Sequence, residues 1–170
     1  MKKTLKAEES VLLIRVNDFE KYSFVDEHKK ILKEHKNIWM LKTGRHLADR
    51  ALRCLNNTGW LILKEPKKSG DKYYICTVDA ANTGSINNNY IFPSYYEEMA
   101  DNGTPLQGTW ICISSLIAIP EEIVDKIELS KSHKKVKDVV NATRSPILYV
   151  ESKTDLLIDI NNRSVYEEVN

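Results

Sequence analysis

The sequence predicts an α+β domain in which a strongly curved sheet, or open β-barrel, of about six strands is flanked by helices. Short runs rich in branched apolar residues alternate with stretches whose apolar residues recur at helical spacing. The composition, 42% hydrophobic and 29% charged, is that of an ordinary globular protein, and 170 residues suffice for the core of one domain. We therefore expect a short lead at 1–9, one domain at 10–160, and a polar tail or linker stub at 161–170.

The first half of the chain predicts two strands and two helices. Residues 10–16 (SVLLIRV) form a run typical of a buried strand. Ser23 is a suitable N-cap for a helix that runs to about residue 36. Residues 37–41 return to an extended apolar run, and a glycine-containing turn leads into a second helix that ends near Gly59.

The second half predicts strands with a polar loop and short helices between them. Strands are expected at residues 60–64 and 72–78, followed by a polar loop over residues 80–89. A short helix around Tyr95 precedes the strongest strand pattern in the chain, at residues 108–119. The last expected elements are a helical turn that begins at Pro120, a helix at residues 134–141, and closing strands at residues 146–150 and 156–160.

Charge is distributed unevenly, although the formal net charge is only +1. Eight basic residues stand against two acidic residues between His28 and Arg53, and a second basic stretch runs from Lys131 to Arg144. Such patches suit contact with nucleic-acid phosphates, and solvated helix faces would explain them equally well.

Catalytic and metal-binding patterns are missing from the sequence. The three cysteines are widely spaced, which argues against a disulfide framework or a cysteine zinc site. The four histidines have no companion ligands at metal-binding spacing, and no hydrolase or nucleotide-binding motif occurs. We therefore expect a binding protein without cofactor or metal, not an enzyme. The absence of a long apolar stretch predicts a cytoplasmic protein with no membrane partner.

Aromatic residues cluster beside the basic segments. Trp39 lies just before a basic glycine turn, and Tyr90, Tyr95 and Tyr96 follow the Asn-rich loop. Stacking of a base on an aromatic ring contributes about 1–3 kcal/mol, so these residues suit base recognition. A place in the core is the more common fate of large aromatic residues.

Four passages in this order resemble the YTH family and its EVE and PUA-like relatives. The resemblance covers most of the chain, from about Ser10 to Ile158, and implies a PUA-like, YTH-like fold. The passages are VLLIRVND at residues 11–18, NIWMLKTGRHLADRAL at 37–52, GWLILKEPKKSGDKYYICTV at 59–78, and TWICISSLIAIP at 109–120 followed by NATRSPILYV at 141–150.

The resemblance implies an aromatic cage for a methylated base, with Trp39 and Tyr90 as two of its walls. Asn17 would meet the base edge, and the main-chain carbonyl of Met40 would accept a hydrogen bond from the methylated amine. The segment that contains Tyr95, Tyr96 and Met99 would supply the third wall. The resemblance and the basic patches together predict that six residues contact the nucleic-acid backbone: Arg15, Lys42, Arg45, Lys134, Lys135 and Arg144.

The ligand implied by the resemblance is N6-methyladenine flipped out of RNA or DNA. The implied context is a targeting domain that is fused to, or associated with, a restriction or defence protein. Met40 and Leu41 stand where the family commonly has serine or threonine after its tryptophan, and the segment from Trp39 to Leu47 is shorter than usual. Both departures alter the rim of the cage and leave the modified base open.

Two other functions compete with the modified-base reader. The first is a PUA-like, ASCH-type nuclease or nucleoside hydrolase, for which Lys42, Asp79 and Glu98 are the candidate residues. The second is a protein-interaction module whose basic surface is incidental, which predicts weak oligonucleotide binding with little salt dependence.

Overall fold

The computed structural model describes residues 1–168 and confirms the α+β class. The described residues form eleven strands: β1 (Lys2–Leu5), β2 (Val11–Arg15), β3 (Ile38–Thr43), β4 (Trp60–Lys64), β5 (Tyr73–Ser85), β6 (Gln107–Ile113), β7 (Ile117–Ala118), β8 (Ile127–Leu129), β9 (Ile147–Ser152), β10 (Leu156–Asp159) and β11 (Ser164–Glu167). The helices are α1 (Phe24–Glu34), α2 (Asp49–Thr58), α3 (Tyr95–Asp101), α4 (Glu121–Val124) and α5 (Val136–Val139).

The strands form one large open sheet and one small sheet. The large sheet has the order β3-β6-β5-β4-β2-β9-β8, and β7 pairs with β5 at its side. Its neighbours are antiparallel except for β2 and β4, which are parallel. Within residues 1–168 the end strands β3 and β8 do not pair with each other, so the sheet is not a closed barrel. The expectation of about six strands is too low.

The predicted lead and tail both contribute strands to the small sheet. Its order is β1-β10-β11, with Lys2–Leu5 and Ser164–Glu167 on either side of Leu156–Asp159. Leu5 and Val165 are buried in the same core cluster as Leu156, which is why these end segments are ordered. The last two residues of the predicted tail, 169 and 170, lie outside the described residues.

Local capping signals explain why α1 begins and α2 ends where predicted. Ser23 is the N-cap of α1, and its Oγ accepts a hydrogen bond of 3.2 Å from the Asp26 N–H. Asp26 and Glu27 lie in the first turn, where negative charge complements the helix dipole. Gly59 ends α2 in the left-handed conformation at φ 71°, which glycine adopts without steric cost.

Strand β5 extends into the segment predicted as a polar loop. Its second half, from Ala80 to Ser85, pairs with β6 although its sequence is polar. The Asn56 side chain from α2 explains this, because it forms hydrogen bonds with both main-chain polar groups of Ala81. The Ala81 N–H donates to Oδ1 at 3.1 Å, and Nδ2 donates to the Ala81 carbonyl at 3.4 Å. The predicted strand at 108–119 is in turn divided into β6 and β7, and β8 was not predicted.

Two apolar cores lie on opposite faces of the large sheet, and a third cluster is aromatic. One core lies between the large and small sheets, and the other lies beneath α1 and α2. The aromatic cluster centres on Tyr95, Tyr96 and Trp110 and borders the free edge of β3. In the described part of the chain, no helix has the length and apolar character needed to cross a membrane.

Candidate functional site

A pocket of about 220 Å³ lies where the end of β2, the free edge of β3 and α3 meet. It brings together seven of the thirteen site residues predicted from the sequence: Arg15, Asn17, Met40, Lys42, Tyr95, Tyr96 and Met99. The other residues of its wall, which the sequence did not indicate, are Ile14, Val16, Asp18, Phe19, Phe24, Leu41, Thr43 and Pro146. The pocket is therefore a product of segments far apart in the chain.

The edge of β3 borders this pocket with four consecutive residues, Met40 to Thr43. In a strand, the N–H and C=O of one residue point to the same side, and the side alternates from residue to residue. The Leu41 N–H donates to Tyr96 Oη at 3.0 Å and the Trp39 N–H donates to the Ile91 carbonyl at 2.8 Å, so both residues point away from β6. Met40 then points toward Ile111 of β6.

This alternation corrects the predicted hydrogen-bond acceptor. The main-chain carbonyl of Met40 takes part in the ladder with β6 and is not free for a ligand. The carbonyl of Leu41 lies on the free edge, beside the pocket. A ligand N–H would therefore meet Leu41, one residue later than expected.

Tyr96 and His28 hold the β3 edge in place. His28 is fully buried; its Nδ1 lies 2.6 Å from the Phe24 carbonyl and its Nε2 lies 2.7 Å from Tyr96 Oη. The Phe24 carbonyl can only accept, so Nδ1–H donates to it, and Nε2 of the neutral ring accepts from the Tyr96 O–H. Burial disfavours the charged imidazole and lowers the pKa of His28 to about 4. His28 is thus a neutral structural residue.

Aromatic rings form the wall of the pocket on the α3 side. Tyr95 stacks on Tyr22 with ring centroids 5.3 Å apart, and on Phe19 at 6.3 Å. Burial raises the pKa of Tyr95 and that of Tyr96. Both phenols therefore stay neutral, and this wall of the pocket is mainly apolar because the Tyr96 hydroxyl is already bonded to His28 and Leu41.

Trp39 and Tyr90 do not form the expected cage. Their rings stack directly on each other, with centroids 3.9 Å apart and planes 14° apart. A base sandwiched between two rings needs a separation of about 7 Å, which is two van der Waals contacts. The expected gap is absent, and neither ring lines the pocket. Both side chains are partly exposed, so the pair forms a stacked surface beside the site.

A basic groove of about 610 Å³ continues from the pocket. The two share Arg15, Val16, Asn17 and Pro146, so one surface runs from the aromatic wall to the groove. Its other residues are Lys64, Glu65, Pro66, Lys67, Lys68, Asn141 and Arg144. The sequence indicated Arg144 but not the lysines, which lie at or between the strands expected at residues 60–64 and 72–78.

Some basic residues of the groove are paired within the protein, and others are exposed to solvent. The buried Lys64 forms an ion pair with Asp71 at 2.5 Å and donates to the Glu65 carbonyl at 2.6 Å. The hydrogen bond from Lys64 is the main reason that the pKa of Asp71 is lowered. Lys67, Lys68 and Arg144 are exposed. These three provide the accessible positive charge.

Arg15 and Lys42 have main-chain partners. Arg15 Nη1 donates to the Thr143 carbonyl at 2.6 Å, which fixes the segment that carries Arg144. Lys42 Nζ donates to the Arg45 carbonyl at 3.1 Å, and partial burial lowers the pKa of Lys42. Among the other predicted phosphate contacts, Arg45, Lys134 and Lys135 line neither the pocket nor the groove.

The groups named for a hydrolytic function are separated. Lys42 lines the pocket, whereas Asp79 and Glu98 do not. The carboxylate that lines the pocket is Asp18, and it accepts hydrogen bonds from the Phe24 N–H at 2.9 Å and from the Ser69 hydroxyl. Among residues 1–168, no group of three or more His, Cys, Asp or Glu side chains is placed to bind a metal ion.

The site thus combines a small aromatic pocket, a free strand edge and a basic groove. The resemblance to the YTH family stays a prediction from the sequence passages. No protein-family model, no curated protein and no solved structure matches this chain.

Proposed function

We propose that the pocket binds one methylated base of a nucleic acid while the groove holds the adjoining phosphates. The observation that carries this proposal is the continuity of the two through Arg15, Val16, Asn17 and Pro146. The pocket, at about 220 Å³, is smaller than the 300–1,000 Å³ typical of sites for drug-sized ligands, which fits a single base.

The free edge of β3 supports recognition of an exocyclic amine. N6-methyladenine keeps one N–H on its amine, and the main-chain carbonyl of Leu41, a residue that lines the pocket, would accept it. The exposed Asn17 side chain offers both a donor and an acceptor to the ring nitrogens at the base edge. These two groups would set the orientation of the base.

The apolar wall supports preference for the methylated form. Met40, Met99 and the ring of Tyr95 line the pocket and provide contact for one added methyl group. Burial of a methyl group contributes about 0.8 kcal/mol, which corresponds to about fourfold in affinity. Tighter contact or exclusion of water would increase this ratio.

A single strand of RNA or DNA is the proposed substrate form, because its bases are accessible without unpairing. From a duplex, the base would have to be flipped out at a cost of a few kcal/mol. The sequence resemblance supports a role as the targeting module of a restriction or defence assembly.

The proposal is tested by titrating labelled single strands that carry one N6-methyladenine or one adenine, as RNA and as DNA, and measuring fluorescence anisotropy. Wild type is expected to prefer the methylated strand by about fourfold or more. Asn17→Ala is expected to remove most of this preference, whereas Asn57→Ala, an exposed asparagine at the end of α2, is expected to keep it.

Equal affinity of wild type for methylated and unmethylated strands would contradict the proposal. A preference lost in Trp39→Ala but kept in Asn17→Ala would place the base on the Trp39 ring instead of in the pocket. Mass spectrometry of the same strands after incubation tests the hydrolase alternative. Turnover that disappears in Lys42→Ala would favour that alternative over simple binding.

A further inference from the structure

A second basic concavity, of about 460 Å³, lies between α1, the segment after β6 and the turn that joins β10 to β11. Its cations are Lys29 and Lys33 of α1 and Arg163 of the turn. It shares no residue with the pocket or with the first groove. It is therefore a separate feature that the proposed function does not use.

The wall of the concavity contains three basic residues and no acidic residue. Lys29 and Lys33 are four residues apart in α1 and so lie on one helix face. Within residues 1–168, none of the three cations forms an ion pair with Asp or Glu. Like charges in one concavity repel each other, and a bound anion would relieve that repulsion.

Neutral residues give this concavity a floor larger than an inorganic anion needs. Leu32, Leu116, Ile117 and Ile160 contribute apolar surface. Ser114 lines it too, but the Ser114 hydroxyl donates to Asp79 at 3.1 Å. The cations are therefore the groups that can hold an anion: Lys33 and Arg163 are exposed, and the Lys29 Nζ also lies 5.0 Å from the centroid of the Tyr74 ring. The volume lies within the 300–1,000 Å³ range of sites for small organic ligands.

We propose that this concavity binds a phosphate group carried on a planar organic body, with Lys29, Lys33 and Arg163 holding the phosphate and the apolar floor contacting the ring. Arg163 can donate two parallel hydrogen bonds to phosphate oxygens, and the two lysines add point charge. A free mononucleotide and a nucleotide within a strand share this chemistry.

The test is calorimetric titration of wild type with adenosine monophosphate, adenosine and inorganic phosphate. The monophosphate is expected to bind more tightly than either of its parts. Arg163→Gln and Lys33→Gln are each expected to weaken that binding by about tenfold or more, because each removes a charge-assisted contact. Lys36→Gln, an exposed lysine outside the concavity, is expected to leave it unchanged.

A parallel titration with a short unmethylated single strand identifies the source of the phosphate. If Arg163→Gln weakens binding of the strand but not of the mononucleotide, the concavity holds a phosphate of the strand. If Arg163→Gln weakens binding of the mononucleotide, the concavity holds the free ligand. Unchanged binding of both ligands in Arg163→Gln and in Lys33→Gln would overturn the proposal. Asn17→Ala distinguishes the concavity from the base pocket. If Asn17→Ala abolishes mononucleotide binding and Arg163→Gln does not, the mononucleotide binds in the base pocket, and the proposal for the concavity is also overturned.

Discussion

At the scale of single residues, the hydrogen bonds from Phe24 through His28 and Tyr96 to Leu41 tie the first helix to the edge of the binding pocket. Both ring nitrogens of His28 and the Tyr96 hydroxyl have partners, so this network orders the wall without leaving one of these groups unsatisfied. The hydrogen-bond partner of His28, Tyr96, is 68 residues away in the sequence. Sequence spacing could not reveal that pair.

The buried His28 predicts a specific loss of stability in mild acid. Its folded pKa of about 4 lies below the ordinary value of 6.5, so the unfolded chain binds more protons between these values. Stability contributed by neutral His28 is therefore lost as pH falls. Between pH 7 and pH 5 the loss is about 2 kcal/mol, measured as the free energy of unfolding in urea.

His28→Gln provides the comparison for this pH effect. Glutamine can donate to Phe24 and accept from Tyr96, but it does not titrate. The variant is expected to lack about 2 kcal/mol of the pH dependence seen in wild type. The same pH dependence in both proteins would show that His28 does not titrate as described.

Trp39 shows the limit of residue-level inference. Its sequence position beside a basic turn, read through the YTH resemblance, predicted a cage wall. In the fold, Trp39 lies on the face of β3 that meets Tyr90, whereas the pocket follows the strand edge. Asn17, Tyr95, Tyr96 and Met99 were predicted on weaker grounds and line the pocket.

At the scale of elements, β3 carries the site because one of its edges pairs with β6 while the other pairs with no strand and borders the pocket. The pairing is close at Gly108, opposite Thr43, with a φ of 154°. A Cβ atom at Gly108 would collide with the main-chain carbonyl oxygen of Lys42. Lys42 is one of the residues that line the pocket. Glycine is thus required for the two strands to approach.

Gly108→Ala is therefore expected to destabilise the fold more than Gly44→Ala. Gly44 also has a positive φ, 85°, but a Cβ there would meet no atom within 4 Å. Both variants carry the strain of about 1–2 kcal/mol that a side chain has at positive φ. Gly108→Ala should add about 1–3 kcal/mol from the collision. Urea unfolding measures both, and equal losses would contradict a close contact at Gly108.

Elements with local signals were predicted well, and those defined by distant partners were not. The cap at Ser23, the glycine end of α2 and the strand at Trp60–Lys64 depend on neighbouring residues, and the structure confirms them. The extension of β5 depends on Asn56, and β1 and β11 depend on β10. Such non-local pairings leave little trace in the sequence of the strand itself.

At the scale of the whole molecule, sheet order brings the pocket and the basic groove together. Strands β2 and β3 are separated by three strands in the sheet order, yet the C-terminal end of β2 and the edge of β3 line one pocket because the sheet curves. The α+β class, a curved sheet and several pocket residues could be predicted, but the strand ends and turns that this sheet brings together could not. The groove lysines of the 67–68 turn were missed for the same reason.

The groove predicts that strand binding depends on salt. If Lys67, Lys68 and Arg144 each contact a phosphate, the logarithm of the association constant should fall by about 2 per logarithmic unit of salt concentration. Lys68→Gln should reduce this slope by about 0.7, whereas Lys36→Gln should not change it. Affinity that does not respond to salt would contradict a phosphate-binding groove and favour the protein-interaction alternative.

The methionine methyl groups directly probe whether one methylated base enters the pocket. The chain has three methionines, of which Met40 and Met99 line the pocket, while Met1 lies outside it and is 65% exposed. Carbon-13 labelling of the methionine methyl groups therefore gives two reporters and an internal control in one NMR spectrum.

The measurement is a titration of labelled protein with a single strand that carries one N6-methyladenine. We expect the Met40 and Met99 methyl signals to shift through the ring current of the bound base while the Met1 signal stays in place. The adenine strand at equal concentration should produce smaller shifts. A strand that saturates the protein and leaves the Met40 and Met99 signals unmoved would contradict the account.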